Sequence, residues 1–184
     1  MADFPANPPT PLFVHTWTQW SSALDLYKIH GTLTITASAT WPVASTAFYM
    51  PIWLPWHYPV ARVFWINGSS VTSVNVDFGI YNDDGVLIYN TTSTARAGAS
   101  VVQYVTPSAP FILPPGRYYF AHSCDSITTN RGGMATSTGT VARYALAGLL
   151  QEASALPLPA TMTPVTVANV FFPLCGITRT ASGF

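Results

Sequence analysis

The sequence predicts an all-β fold, an antiparallel β-sandwich or jelly roll with an extended N-terminal arm, and three observations carry that expectation. Beyond residue 30, runs rich in Thr, Val, Ile and aromatic residues alternate with period two, the spacing that puts every second side chain on one face of a strand. Gly, Pro and Asn punctuate those runs as turn residues do. No long helical pattern separates them, which argues against parallel crossover units.

The elements follow in chain order. Residues 4–11, FPANPPTP, place four prolines in eight positions, so the backbone is expected to be extended and poor in internal hydrogen bonds. This is the arm, residues 1–30, and a neighbouring subunit is its natural holder. A short helix around 19–28 is compatible with the residues there. Strands are expected near 32–37, 45–53, 60–66, 71–81, 86–92, 99–106, 117–124, 141–147 and 165–172, within one domain spanning 31–184. For 141–154, VARYALAGLLQEAS, a helix is the open alternative, because Ala and Leu suit either state.

Two stretches are informative in detail. In FGIYNDDGVLIYN, residues 78–90, apolar arms flank a polar tetrad, and Gly85 readily supplies the positive φ that a primed turn or a bulge needs. A hairpin is expected. In the arm before the turn, Val74, Val76, Phe78 and Ile80 share a face expected to be buried, opposite Asn75, Asp77, Gly79 and Tyr81. In ILPPGRYYFAHSC, Pro114, Pro115 and Gly116 bend the chain into a strand whose Tyr118 and Phe120 face one way and Tyr119 and Ala121 the other. Both faces are apolar, as for a strand between two layers.

Composition narrows the partners. Charged residues make up 8% of the 184 residues, with seven Lys plus Arg against seven Asp plus Glu; about 25% is typical of soluble domains. Without a basic footprint, neither nucleic acid nor an anionic membrane surface is expected as a partner. With little charge repulsion between copies, much of the surface is expected to be covered in an assembly. MADFPANPPT has neither the basic nor the apolar region of a secretory signal, so synthesis in the cytoplasm is expected. The window at 49–66 nears the length of a membrane span, but Pro51, Pro55, Pro59, His57 and Arg62 interrupt it, so membrane insertion is not expected. Cys124 and Cys175 lack metal-ligand spacing and are read as small buried apolar residues rather than a disulfide.

The order of motifs, FGIYNDDG at 78–85, a Thr-rich connection, then ILPPGRYYFAHSC at 112–124, resembles a β-sandwich domain that recurs in tail-fibre, appendage and other structural proteins of tailed bacteriophages. There a strand ending in GIYN-x-x-G is followed by LP-x-G-x-Y-Y or LP-x-G-x-Y-W. ASALPLPATMTP, 153–164, is similar to the LP-containing return segment of such domains, so the resemblance spans roughly 40–175. It implies a non-enzymatic virion protein that binds copies of itself, as a trimer, and other virion proteins, in a tail appendage or short fibre that contacts host-surface glycans. A capsid decoration or head-to-tail collar protein is the alternative within that class. The proline-rich arm and the aromatic PIWLPWHYP segment depart from the common pattern. A free carbohydrate-binding module is the alternative from another class, and an esterase around His122 is a third.

Three groups of residues are candidate sites. Trp53, Trp56, His57 and Tyr58, stiffened by prolines, could offer sugars a rigid stacking platform, or could pack inside or against a neighbour. His122, Ser123, Cys124 and Asp125 supply a base, nucleophiles and a carboxylate, but alternation on a strand sends His122 and Cys124 one way and Ser123 and Asp125 the other. Asn82, Asp83 and Asp84 bring oxygen ligands to a loop, but the spacing fails the calcium-loop pattern and turn chemistry explains them. No catalytic residue, metal or cofactor is therefore expected. Asn67-Gly68-Ser69 and Asn90-Thr91-Thr92 match glycosylation acceptors by coincidence.

Overall fold

The computed structural model describes residues 36–72, 74–128, 130–135, 148–168 and 171–179. The arm, the helix expected near 19–28 and the strand expected near 141–147 lie outside the described residues. Among the described residues there are only strands, turns and irregular segments. In chain order the strands are β1 Thr36–Thr40, β2 Ala47–Leu54, β3 Tyr58–Val60, β4 Arg62–Ile66, β5 Asn75–Asn82, β6 Leu87–Asn90, β7 Thr94–Ala95, β8 Val102–Val105, β9 Phe111–Leu113, β10 Gly116–Cys124, β11 Asn130–Ala135, β12 Leu150–Glu152, β13 Val165–Thr166, β14 Phe171–Pro173 and β15 Cys175–Thr178. The expected all-β class is what the chain adopts, and its pairings are antiparallel.

The largest sheet has seven strands in the order β13-β12-β2-β10-β5-β6, with β7 also on β5. Among the described residues the other sheets are two three-stranded ones, β15-β4-β8 and β1-β11-β14, and the pair β3-β9. The centre of the large sheet is β10, which pairs along its length with both β2 and β5: Phe120 lies opposite Met50 and Ile80, and Tyr119 opposite Pro51 and Tyr81. That register stacks like with like. Phe48, Met50, Ile52, Val76, Phe78, Ile80 and Phe120 point to one face and join Val63, Phe64, Trp65, Cys175 and Ile177 of the β15-β4-β8 sheet in one buried apolar cluster. Burying a Phe, Leu or Ile side chain contributes about 1.5–3 kcal/mol, so this cluster dominates the stability.

The other face of β5 departs from expectation. Instead of facing solvent, Asp77, Gly79 and Tyr81 are buried, as are Tyr119 and Ala121 beside them. The cover is the return segment: Ala155 and Leu158 pack into a second apolar cluster with Ala47, Tyr49, Tyr81, Tyr119 and Ala121, and Met162 packs against it. Gly79 makes the approach possible, because a Cβ there would sit 2.6 Å from Leu158 Cδ1. Alternation along β5 therefore separates two cores, not core from water.

Two further expectations change. The helix open for 141–154 does not run through its end, because Leu150–Glu152 is strand β12, held between Ala47–Tyr49 and Val165–Thr166. Pairing on both sides supplies what helical propensity there cannot, and Gly148 at φ 79° turns the chain just before it. The run 165–172 is two strands serving different sheets, β13 beside β12 and β14 beside β11. Strands β3, β7, β9, β11 and β15 are short or Gly-bearing and carried no alternation of their own.

The turn at 82–85 is a three-residue hairpin loop. Asn82 N donates to Val86 O at 3.0 Å, Gly85 N donates to Asn82 O at 3.0 Å, and Gly85 has φ 77°. This is the bulged turn, not the two-residue primed one, since Asp83 and Asp84 keep negative φ.

Candidate functional site

The aromatic segment lies where β2 leaves the large sheet. Period two along β2 sends Leu54 into the core and Trp53 outward, and Pro55 ends the strand. Trp53 is 43% exposed and Trp56 51%, and His57 is exposed beside them. Tyr58 behaves differently. As the first residue of β3 it is 4% exposed, belongs to the main core and directs its hydroxyl to Ile177 O at 3.5 Å.

A residue that sequence reasoning missed completes this group. Arg179 directly follows β15, and its guanidinium lies 4.8 Å from the centre of the Tyr58 ring and 5.8 Å from that of Trp56. Both distances suit a cation over an aromatic face. Burial raises the Tyr58 hydroxyl above the ordinary tyrosine value, and the nearby Arg179 charge works in the opposite direction. Nothing local in the sequence could mark Arg179, because only the pairing of β15 with β4 brings it back. Close by in register, Arg117 lies opposite Trp53, covers Tyr119 at 5.1 Å and pairs with Asp83 at 3.5 Å.

The catalytic-looking AHSCD stretch is interior. His122, Ser123 and Cys124 are 1%, 0% and 0% exposed. His122 Nδ1 lies 3.1 Å from the main-chain oxygen of Asp77, and its ring stacks on Trp65 and meets Trp41 edge-on. Cys124 is on the main-core side with His122, as alternation predicts, and no disulfide joins it to Cys175. Ser123 lies opposite Asp77 on the other face, and Asp125 accepts a hydrogen bond from Asn75 N at 3.0 Å.

Asp77, placed by alternation on the face opposite the expected core, is a structural hub. Its carboxylate accepts hydrogen bonds from Thr91 N and Thr91 Oγ1 at 3.0 Å, from Asn90 Nδ2 at 3.1 Å and from Leu158 N at 3.0 Å. A buried carboxylate is tolerated when its lone pairs are filled this way. It fastens both the break between β6 and β7, where Thr92 and Ser93 have positive φ, and the return segment.

The loop oxygens of Asn82 and Asp83 are similarly engaged, Asn82 Oδ1 with Val86 N at 2.8 Å and Asp83 with Arg117. Among the described residues no three His, Cys, Asp or Glu side chains gather as a metal site, and no helix is long and apolar enough to cross a membrane. Comparison with protein-family models and with curated proteins gives no match.

Proposed function

We propose that this chain is a non-enzymatic structural component of a tailed-bacteriophage virion, a jelly-roll-like β-sandwich that self-associates as a trimer in a tail appendage or short fibre. Its arm grips neighbouring copies, and its exposed Trp53, Trp56 and His57 contact host-surface glycans. The observation that carries the reading is how the three stretches of the resemblance meet. GIYN in β5 and GRYYF in β10 are hydrogen-bonded neighbours, with Tyr81 opposite Tyr119, and ASALPLPATMTP closes over both, with Tyr81 Oη donating to Pro159 O at 2.7 Å. Segments far apart in the chain thus form one unit, as expected if they are the signature of one domain. The charge-poor composition, 8%, supports burial of further surface in an assembly.

A second reading, a free carbohydrate-binding module, is favoured by the same exposed tryptophans. Light scattering on the purified full chain separates the two. A trimer at micromolar concentration supports the virion component, and a stable monomer supports the module. Position in the particle, tail against capsid or collar, is read by electron microscopy of virions with the chain labelled.

A further inference from the structure

We propose that the Trp56 platform selects acidic saccharides, with Arg179 as the anion-recognising residue and Tyr58 as the residue that positions it. The inference rests on the glycan-contact reading above and deepens it by naming the ligand class. Four observations lead to it. Tyr58 is 4% exposed, so it offers no stacking surface to a sugar. Its ring instead sits under Arg179 at 4.8 Å, while the same guanidinium reaches the half-exposed Trp56 at 5.8 Å. Among the described residues no carboxylate pairs with Arg179, whereas Arg117 on the adjoining strand is taken by Asp83 at 3.5 Å. Arg179 is itself exposed, in a chain with only seven Lys plus Arg.

A guanidinium held against two aromatic rings gives up less side-chain freedom on binding than one extended into water, and its planar fork suits carboxylate or phosphate oxygens. Trp56, 51% exposed, keeps indole surface for the apolar face of a pyranose ring, and Trp53 and His57 are exposed on either side of the strand end. Stacking supplies contact with any sugar; the cation discriminates in favour of charged ones. Carboxylate-bearing sugars and phosphate-bearing sugars share the recognised chemistry.

The test titrates the full chain with three labelled probes, an oligogalacturonate, a phosphorylated oligomannose and a neutral malto-oligosaccharide. Either acidic probe is expected to bind about tenfold more tightly than the neutral one, the factor expected of one charge-assisted contact. Which acidic probe binds better identifies the source of the anion. Arg179→Ala is expected to bring both acidic probes down to the affinity of the neutral one, and Trp56→Ala to remove binding of all probes. Arg179→Lys retains the charge without the fork and is expected to keep part of the preference, which guards against reading a folding defect as lost recognition. Equal binding of acidic and neutral probes overturns the inference and leaves the glycan platform standing. Binding of none of the probes overturns both.

Discussion

The two faces of the central sheet are buried by different means. On one, β2, β5 and β10 meet a second sheet through apolar side chains, Phe48, Met50, Phe78 and Phe120 against Phe64 and Trp65. On the other, a strand-poor segment is tied down group by group: Leu158 N to Asp77, Pro159 O to Tyr81, Ala160 O to Leu87 N, Met162 N to Gly85 O and Thr163 to Glu152. Apolar area suffices where two regular surfaces meet. An irregular cover has to satisfy its own backbone, and the sheet must present polar partners inside a core.

Substitutions that strike one face and spare the other sharpen this contrast. Phe120→Ala empties the centre of the sheet-to-sheet core and is expected to cost about 3–5 kcal/mol in denaturant unfolding, the range for a large aromatic. Asp77→Ala removes the acceptor of four donors; Thr91 N keeps its bond to Phe78 O and Asn90 Nδ2 is only part-buried, so the loss comes mainly from Leu158 N and Thr91 Oγ1, and about 3 kcal/mol is expected from the unsatisfied groups. If it costs less than about 1 kcal/mol, the range of an ordinary net hydrogen bond, the group-by-group account of the second face fails.

Gly79→Ala pushes a methyl against Leu158 and is expected to cost about 1–3 kcal/mol as overpacking. It should loosen residues 155–163 in hydrogen exchange while leaving β4 and β15 protected.

The hydroxyls of Tyr49 and Tyr81 are both held above the ordinary tyrosine value of 10.0, first by burial; the Tyr49 hydrogen bond to Glu152 at 2.6 Å adds to its shift. A raised folded value means the neutral hydroxyl stabilises the fold, so its contribution is whole below about pH 10 and shrinks as the pH climbs above it. Unfolding free energy is expected to fall through alkaline pH more steeply in the parent than in a Tyr49→Phe, Tyr81→Phe double variant. Identical slopes would remove these hydroxyls from the account. The smallest effect is expected for Arg117→Ala: the pair with Asp83 is 48% and 61% exposed, and screening leaves it within about 0.5 kcal/mol.

These contrasts also mark what the sequence could reveal. The alternation of Val76, Phe78 and Ile80 and the apolar pair of faces at Tyr118 to Ala121 identified the strands of the main core, because a regular interface leaves a regular pattern. The hairpin at Gly85 was legible for the same local reason. The second core was legible at β10, where Tyr119 and Ala121 made the other face apolar too, but not at β5, since Asp77 and Gly79 read as solvent-facing residues unless a segment near Leu158, some eighty positions on, is known to arrive. The candidate site divides similarly. Trp53 and Trp56 stood out by residue type, but Tyr58 was drawn inward by the pairing of β3 with β9, and Arg179 reached them only through β15.

Both thiols are sealed within the main core, Cys124 on the last position of β10 and Cys175 on the first of β15, each with no exposure. Oxidants and alkylating agents can therefore reach these two thiols only in molecules that have momentarily opened. Modification of the two sulfurs is thus governed by how often the interior breathes, and they serve as built-in counters of those events.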